Sequence, residues 1–368
     1  MADAPPPNAA SLPTAFASIQ PRPAPEPLNF TGSGSEYFRI WIVNLALTYL
    51  TLGIYSPWAK VRRMQYLYRN TLLAGSGFDY HGKPIAILKG RAIAVGMILL
   101  YQGLTLVNPT AAGIVGLLIG LVMPWLLLRS LAFRLTNTSW RGLRFRFEGT
   151  TGGAYRVFLL WPFLTSITLG LLAPAAHHAM KRWQHSHSAF GRARFSFAAT
   201  IGEFYGVWLK TAGFVVAVPA LAIAIVLTLA GSGLADVDGV PDALDNGFIL
   251  FGIVAVALFY LGLLAAMPYF LARMQNLVWG RTSLGPHRFE SRMRFGKTLG
   301  IVFANMFLTI VTLGLYRPFA VIRMARYRVE AMTLVPGESL DHFVGRQASE
   351  VEAFGEEVSE FFDIDIAL

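Results

Sequence analysis

Long uncharged stretches alternate with short basic ones along this chain. Between Arg91 and Arg129 no residue is charged for 37 positions, and Asn108-Pro109 interrupts the run near its middle. A helix needs about 20 apolar residues to cross a bilayer, so the pattern predicts a transmembrane helical hairpin over 91–133. Uncharged runs of 25 residues after Lys210 and 27 after Asp245 are separated by the polar DVDGVPDALD and predict a second hairpin over 204–272. Three further runs, Ile40 to Ala59, Val157 to Ala176 and Thr298 to Tyr316, share the frame LTxxTLG. It reads LTYLTLG from Leu47, LTSITLG from Leu164 and LTIVTLG from Leu308.

Each frame leads to a proline, which suits the first turn of a helix because it has no N–H to leave unpaired. The frame therefore predicts a corner between an apolar helix and a second helix that mixes basic and aromatic residues, as in PWAKVRRMQYLYR. Side chains that snorkel at a membrane surface fit that mixture. The lipid-interface candidates are Trp58, Lys60, Arg62, Arg63, Arg69, Lys181, Arg182, Trp183, Phe319, Arg323 and Arg326. TLLAGSGFDYHG, TNTSWRGLRFRFEG, SHSAFGRARFSFA and WGRTSLGPHRFES alternate aromatic and polar positions around a glycine-containing turn, which predicts short β-hairpins.

The expected fold class is an α-helical polytopic membrane protein with internal repeats. It comprises two transmembrane hairpins, three LTxxTLG helix-turn-helix segments and short cytoplasmic β-hairpins. The expected organisation is a disordered arm over 1–29, repeat unit 1 over 30–146, repeat unit 2 over 147–296, a partial repeat 3 over 297–336 and an acidic cytoplasmic tail over 337–368. Eight prolines and no apolar core within 1–29 fit a disordered arm better than a signal peptide.

Composition strengthens the membrane reading, with 54% hydrophobic and only 14% charged residues. The net charge of +10 is unevenly spread, because residues 337–368 hold nine acids and one arginine. The basic remainder suits anionic phospholipid at the cytoplasmic leaflet, and the tail suits a protein partner or a self-mask. No nucleic-acid module accompanies the charge, so nucleic acid is not an expected partner. With no cysteine, disulfide and thiolate chemistry are excluded.

GSEYFRIWIVN, LTLGIYSPWAKVRRMQYLYRNT and GFDYHGKPIAILKGR resemble the YjgN-like family of bacterial inner-membrane proteins, over most of residues 28–368. The resemblance implies an inner-membrane, multi-span architecture and supplies no reaction and no catalytic residues. The second copy departs from the pattern, with Leu172 in place of the turn tyrosine and Ala175 in place of the aromatic after proline.

Positive-inside reasoning favours four firm spans plus three non-crossing LTxxTLG segments over seven crossings, since it keeps every basic loop and both termini cytoplasmic. Neither HExxH nor GxSxG occurs, and FGKT at Phe295 lacks the first glycine of a phosphate loop. His177, His178, His185 and His187 are weak metal candidates, because Lys181 and Arg182 among them repel a cation. Asp236, Asp238, Asp242 and Asp245 lack the closing glutamate of a calcium loop. No cofactor and no catalytic residue is expected. Asn44, Thr48, Thr51, Gly53, Thr165, Thr168, Gly170, Asn305, Thr309, Thr312 and Gly314 either pack helices or line a polar path. The expected function is membrane organisation or an adaptor role through anionic lipid, the alternative being a transporter or channel.

Overall fold

The computed structural model describes residues 23–231 and 242–351. A short extended stretch, β1 (Glu26–Pro27) and β2 (Asn29–Phe30), precedes five pairs of helices. The first pair, α1 (Gly34–Leu50) and α2 (Ser56–Arg69), is followed by β3 (Thr71–Leu73) and β4 (Ser76–Tyr80). The second, α3 (Pro84–Val107) and α4 (Pro109–Thr136), leads to β5 (Thr138–Trp140) and β6 (Leu143–Phe147). The third runs through α5 (Thr151–Tyr155), a π-helical turn Arg156–Leu160 and α6 (Trp161–Ile167) into α7 (Ala173–Ser186), then β7 (Ser188–Phe190) and β8 (Ala193–Phe197). The fourth is α8 (Ile201–Gly231) and α9 (Asp242–Gly280) with β9 (Thr282–Leu284) and β10 (His287–Ser291). The fifth, α10 (Phe295–Val311) and α11 (Arg317–Glu330), ends in β11 (Met332–Val335).

The strands form one antiparallel sheet of 11 strands in the order β1-β11-β10-β9-β8-β7-β6-β5-β4-β3-β2. Since β1 and β2 are neighbours in sequence, the two ends of that order meet across Leu28 and the sheet nearly closes into a barrel. Leu28 N–H donates to Met332 O at 3.0 Å and Thr31 N–H to Asn70 O at 3.0 Å. The hairpin turns suit the twist of their strands: Ala74 and Gly75, like Arg141 and Gly142, have positive φ, whereas at Gly191-Arg192 and Gly285-Pro286 only the glycine does. These are the signatures of the two mirror-image turn types that tight hairpins prefer.

Inside the barrel, Leu73, Trp140, Phe190, Leu284 and Leu334 come from the short strands. Leu28, between β1 and β2, joins them, and Phe78, Phe145, Phe195 and Phe289, the middle residues of the longer strands, pack against them. Residues 340–351 are helical and close onto this core, with Phe343 only 2% exposed. Gln347 Oε1 accepts from the N–H groups of Arg192 and Ala193 at 2.7 and 2.8 Å.

The helices also close a ring. Each second helix packs on the first helix of the next pair: α2 on α3, α4 on α5, α7 on α8, α9 on α10 and α11 on α1. Pro57, Pro124, Pro174, Pro268 and Pro318 are all buried, and each stands fourteen residues before the strand its helix enters. The expected units 30–146 and 147–296 each contain two such modules.

The expected fold class needs correction. In place of separate short β-hairpins there is a single nearly closed sheet. In place of two transmembrane hairpins, three helices among the described residues are long and apolar enough to cross a membrane: α3, α4 and the Val256–Gly280 part of α9. Charge spacing measures apolar length but carries no information on which hairpin pairs with which. That pairing depends on contacts between residues far apart in sequence, and the loop 232–241 lies outside the described residues.

Candidate functional site

The three LTxxTLG frames make the same corner. Thr48 Oγ1 donates to Asn44 O at 2.6 Å, Thr165 Oγ1 to Trp161 O at 2.8 Å and Thr309 Oγ1 to Asn305 O at 2.6 Å. Thr51, Thr168 and Thr312 donate to carbonyls four residues back and accept the N–H of Tyr55, Leu172 and Tyr316. The second threonine thus ends one helix and begins the next. Leu52, Leu169 and Leu313 take φ of 49°, 50° and 50°, and Gly53, Gly170 and Gly314 follow at 91°, 89° and 92°.

A tyrosine on the returning helix fixes the start of the outgoing one. Tyr66 Oη accepts from Ser33 N–H at 2.8 Å, and Tyr327 Oη accepts from Arg294 N–H at 2.7 Å. In the third pair the equivalent residue is Trp183, buried against Leu128, Ala154 and Val157 rather than lying at a surface. Glu203 and Thr200 form a reciprocal cap on α8, with Glu203 Oε2 accepting from Thr200 N–H at 2.8 Å. Glu36 instead accepts from Tyr66 Oη at 3.1 Å.

Between α1, α2 and α11 lies a crevice of about 690 Å³. Tyr37, Trp41, Asn44, Leu45 and Thr48 line it from α1, Ser56, Lys60, Arg63, Met64 and Leu67 from α2, Arg317, Pro318 and Val321 from α11, and Arg91 from α3. Among the described residues that line this space, four are cations and none is an acid. Arg91 donates to Ser56 Oγ, which donates onward to Gly53 O at 2.5 Å. Burial pushes the Tyr37 hydroxyl pKa up, while the charges of Arg63 and Arg317 pull it down. Asn44 is buried and its Oδ1 has no partner. Asn305, its counterpart in the fifth pair, is also buried with Oδ1 unpartnered, and its Nδ2 donates to Ala320 O at 3.2 Å.

The structure therefore gathers Lys60, Arg63, Asn44 and Thr48 from two separate groups of sequence candidates into one place. It adds Arg91, Arg317, Tyr37 and Ser56, which the sequence reading missed. Arg317 directly precedes a corner proline and Arg91 bounds the first uncharged run, so both carried a positional signal. The remaining candidates are scattered. Trp58 stacks on Tyr55 and Arg62 lies over the same ring, Arg69 pairs with Asp79 at 2.9 Å, and Arg326 donates to Gly32 O at 2.8 Å. Phe319 stacks on Phe38, while Arg182 and Arg323 are exposed. Burial lowers the Lys181 ammonium pKa, and the charges of Arg134 and Arg328 add to the effect.

The four histidines serve different neighbours. His177 packs on Phe204 and Phe270, His178 Nε2 meets Ala199 O at 2.9 Å, His185 Nδ1 meets Thr282 Oγ1 at 3.1 Å and His187 Nδ1 meets Trp183 O at 2.9 Å. Burial, helped by the Lys181 charge, pulls His177 and His185 down to about 4. Among the described residues no group of three His, Cys, Asp or Glu is placed to hold a metal ion.

Comparison with known proteins gives no solved structure that matches this chain. Inner membrane protein YjgN of Salmonella typhimurium is 32% identical over 149 residues, covering 39% of this chain and 36% of that protein. Inner membrane protein YjgN of Escherichia coli O157:H7 is 31% identical over 147 residues, covering 38% and 36%. The matched part spans about a third of these relatives' length. Over a much longer stretch, residues 25–361 match the family described as bacterial protein of unknown function (DUF898), and the chain belongs to that family.

Proposed function

We propose that this protein sits in the inner membrane with its barrel on the cytoplasmic side and organises the bilayer by holding an anionic phospholipid headgroup in the α1–α2–α11 crevice. Four cations, Lys60, Arg63, Arg91 and Arg317, with no acid among the lining residues, carry this reading. The setting supports it: relatives are named inner membrane proteins, and three apolar helices fit a membrane. Every helix pair starts and ends at the barrel, so the basic connections collect on one side, as the positive-inside rule favours for the cytoplasm.

The test is retention of phosphatidylglycerol over phosphatidylcholine by the full chain in mixed nanodiscs. A Lys or Arg near anionic lipid is worth about 1 kcal/mol, so the double variant Arg63→Gln/Arg317→Gln should lose about 2 kcal/mol, roughly 30-fold in preference. Arg194→Gln, at an exposed position of β8 in the barrel, should leave the preference intact. Equal retention by the double variant and the parent overturns the assignment.

A further inference from the structure

The three corners leave their tips bare. Leu52, Leu169 and Leu313 are 94%, 93% and 95% exposed, and Leu50, Leu171 and Leu315 beside them are exposed as well. A left-handed backbone disfavours a residue with a side chain, whereas glycine, and to a lesser degree asparagine, takes it up readily. Leucine stands there in all three corners, although its side chain is almost wholly exposed. An apolar side chain held exposed at an unfavourable backbone angle points to surroundings outside the protein that favour it.

The backbone of the corners suits a water-free medium. Gly53 N–H donates to Thr48 O at 2.7 Å, Gly170 N–H to Thr165 O at 2.8 Å and Gly314 N–H to Thr309 O at 2.7 Å. The threonine hydroxyls take up further carbonyls and one N–H per corner, as described above. Hydrocarbon offers no water to answer a backbone polar group, and non-helical chain is tolerated there only when its polar groups are answered internally.

Length and direction agree. All five pairs leave the barrel and return to it, so the corner tips lie on the same side as the Asn108 turn of the α3–α4 pair. With 24 residues α3 extends about 36 Å, enough to cross a hydrocarbon core of about 30 Å. With 17 residues α1 and α10 extend about 25 Å and stop short.

We propose that the three LTxxTLG corners are re-entrant anchors whose leucine tips are buried among lipid acyl chains. Around the ring of five the third pair stands between the two longer pairs and the first and fifth lie side by side, and together the corners fix how deeply the ring sits. This anchoring needs no anionic headgroup, so it stands or falls separately from the crevice.

The chain has no cysteine, so a single introduced one takes a spin label without background. Full-length Leu52→Cys, Leu169→Cys and Leu313→Cys are labelled and reconstituted into phosphatidylcholine vesicles, with exposed Arg144→Cys on β6 as the aqueous reference. Collision with oxygen, which concentrates in hydrocarbon, is compared with collision with a water-soluble nickel chelate. The expected result is oxygen collision dominating at all three corners and nickel collision dominating at residue 144. Ile54→Cys and Leu315→Cys, also at exposed corner positions, repeat the test should a leucine variant misfold. Dominant nickel collision at any of the three corners overturns the proposal, which treats them as equivalent.

Discussion

Leu28 is the residue across which the barrel closes, and truncating it measures whether the closure holds. Its side chain is 7% exposed and joins Leu73, Trp140 and Leu334 in the barrel core, while its N–H bonds to Met332 O. A buried Leu→Ala change costs about 2–5 kcal/mol, the transfer of the lost methyls plus the cavity left behind. Leu28→Ala should therefore destabilise the barrel by about 3 kcal/mol, a large part of the roughly 5–15 kcal/mol by which a domain is stable. Leu284, 8% exposed on β9, which is flanked by β10 and β8 in the sheet, provides the reference, and Leu284→Ala should cost about the same. The assay is urea unfolding in detergent micelles, followed by the near-ultraviolet signal of the aromatic side chains, to which Trp140 in this core contributes. Were residues 26–30 only resting against the sheet edge, Leu28→Ala would cost under about 1 kcal/mol while Leu284→Ala kept its full effect, and that contrast would refute the closed barrel.

Two further measurements probe the corner and the buried imidazoles. Thr312→Val removes both bonds of Thr312 Oγ1, to Leu308 O at 2.7 Å and from Tyr316 N–H at 2.9 Å. Leaving that N–H unanswered should cost about 1–3 kcal/mol in detergent unfolding, and a change below about 0.5 kcal/mol would show that the hydroxyl does not hold the corner. His185 is held neutral by burial and by the Lys181 charge, down to about 4 from 6.5. Between those values the unfolded chain binds the proton and the folded one does not, so stability should fall as pH drops from 6.5 towards 4. His177 shares the same shift, so His185→Gln should reduce that slope by about half in melting curves taken across the same range, and an unchanged slope would assign it to other groups.

Much of the local structure was legible in the sequence, for reasons visible at single residues. LTxxTLG announced a corner because glycine, the back-bonding threonines and the following proline each act within a few positions. The hairpin segments announced themselves through alternation and glycine turns, and Phe78, Phe145, Phe195 and Phe289 face the core as that alternation requires. The crevice was only half legible. Lys60 and Arg63 stood out by charge density on one helix, whereas Arg317 joins them from more than 250 positions away.

The sequence by itself determined the LTxxTLG corners, the glycine turns and the long uncharged runs, since propensity, periodicity and charge spacing act within a few turns of chain. Only the tertiary structure decided that residues 26–30 serve as the missing strand of the fifth module, that the hairpins share one nearly closed sheet and that α11 meets α1 to frame the crevice. Those pairings bring together the two ends of the described chain. Their free energy comes from closing a barrel around a common apolar core, and no window of sequence contains both partners.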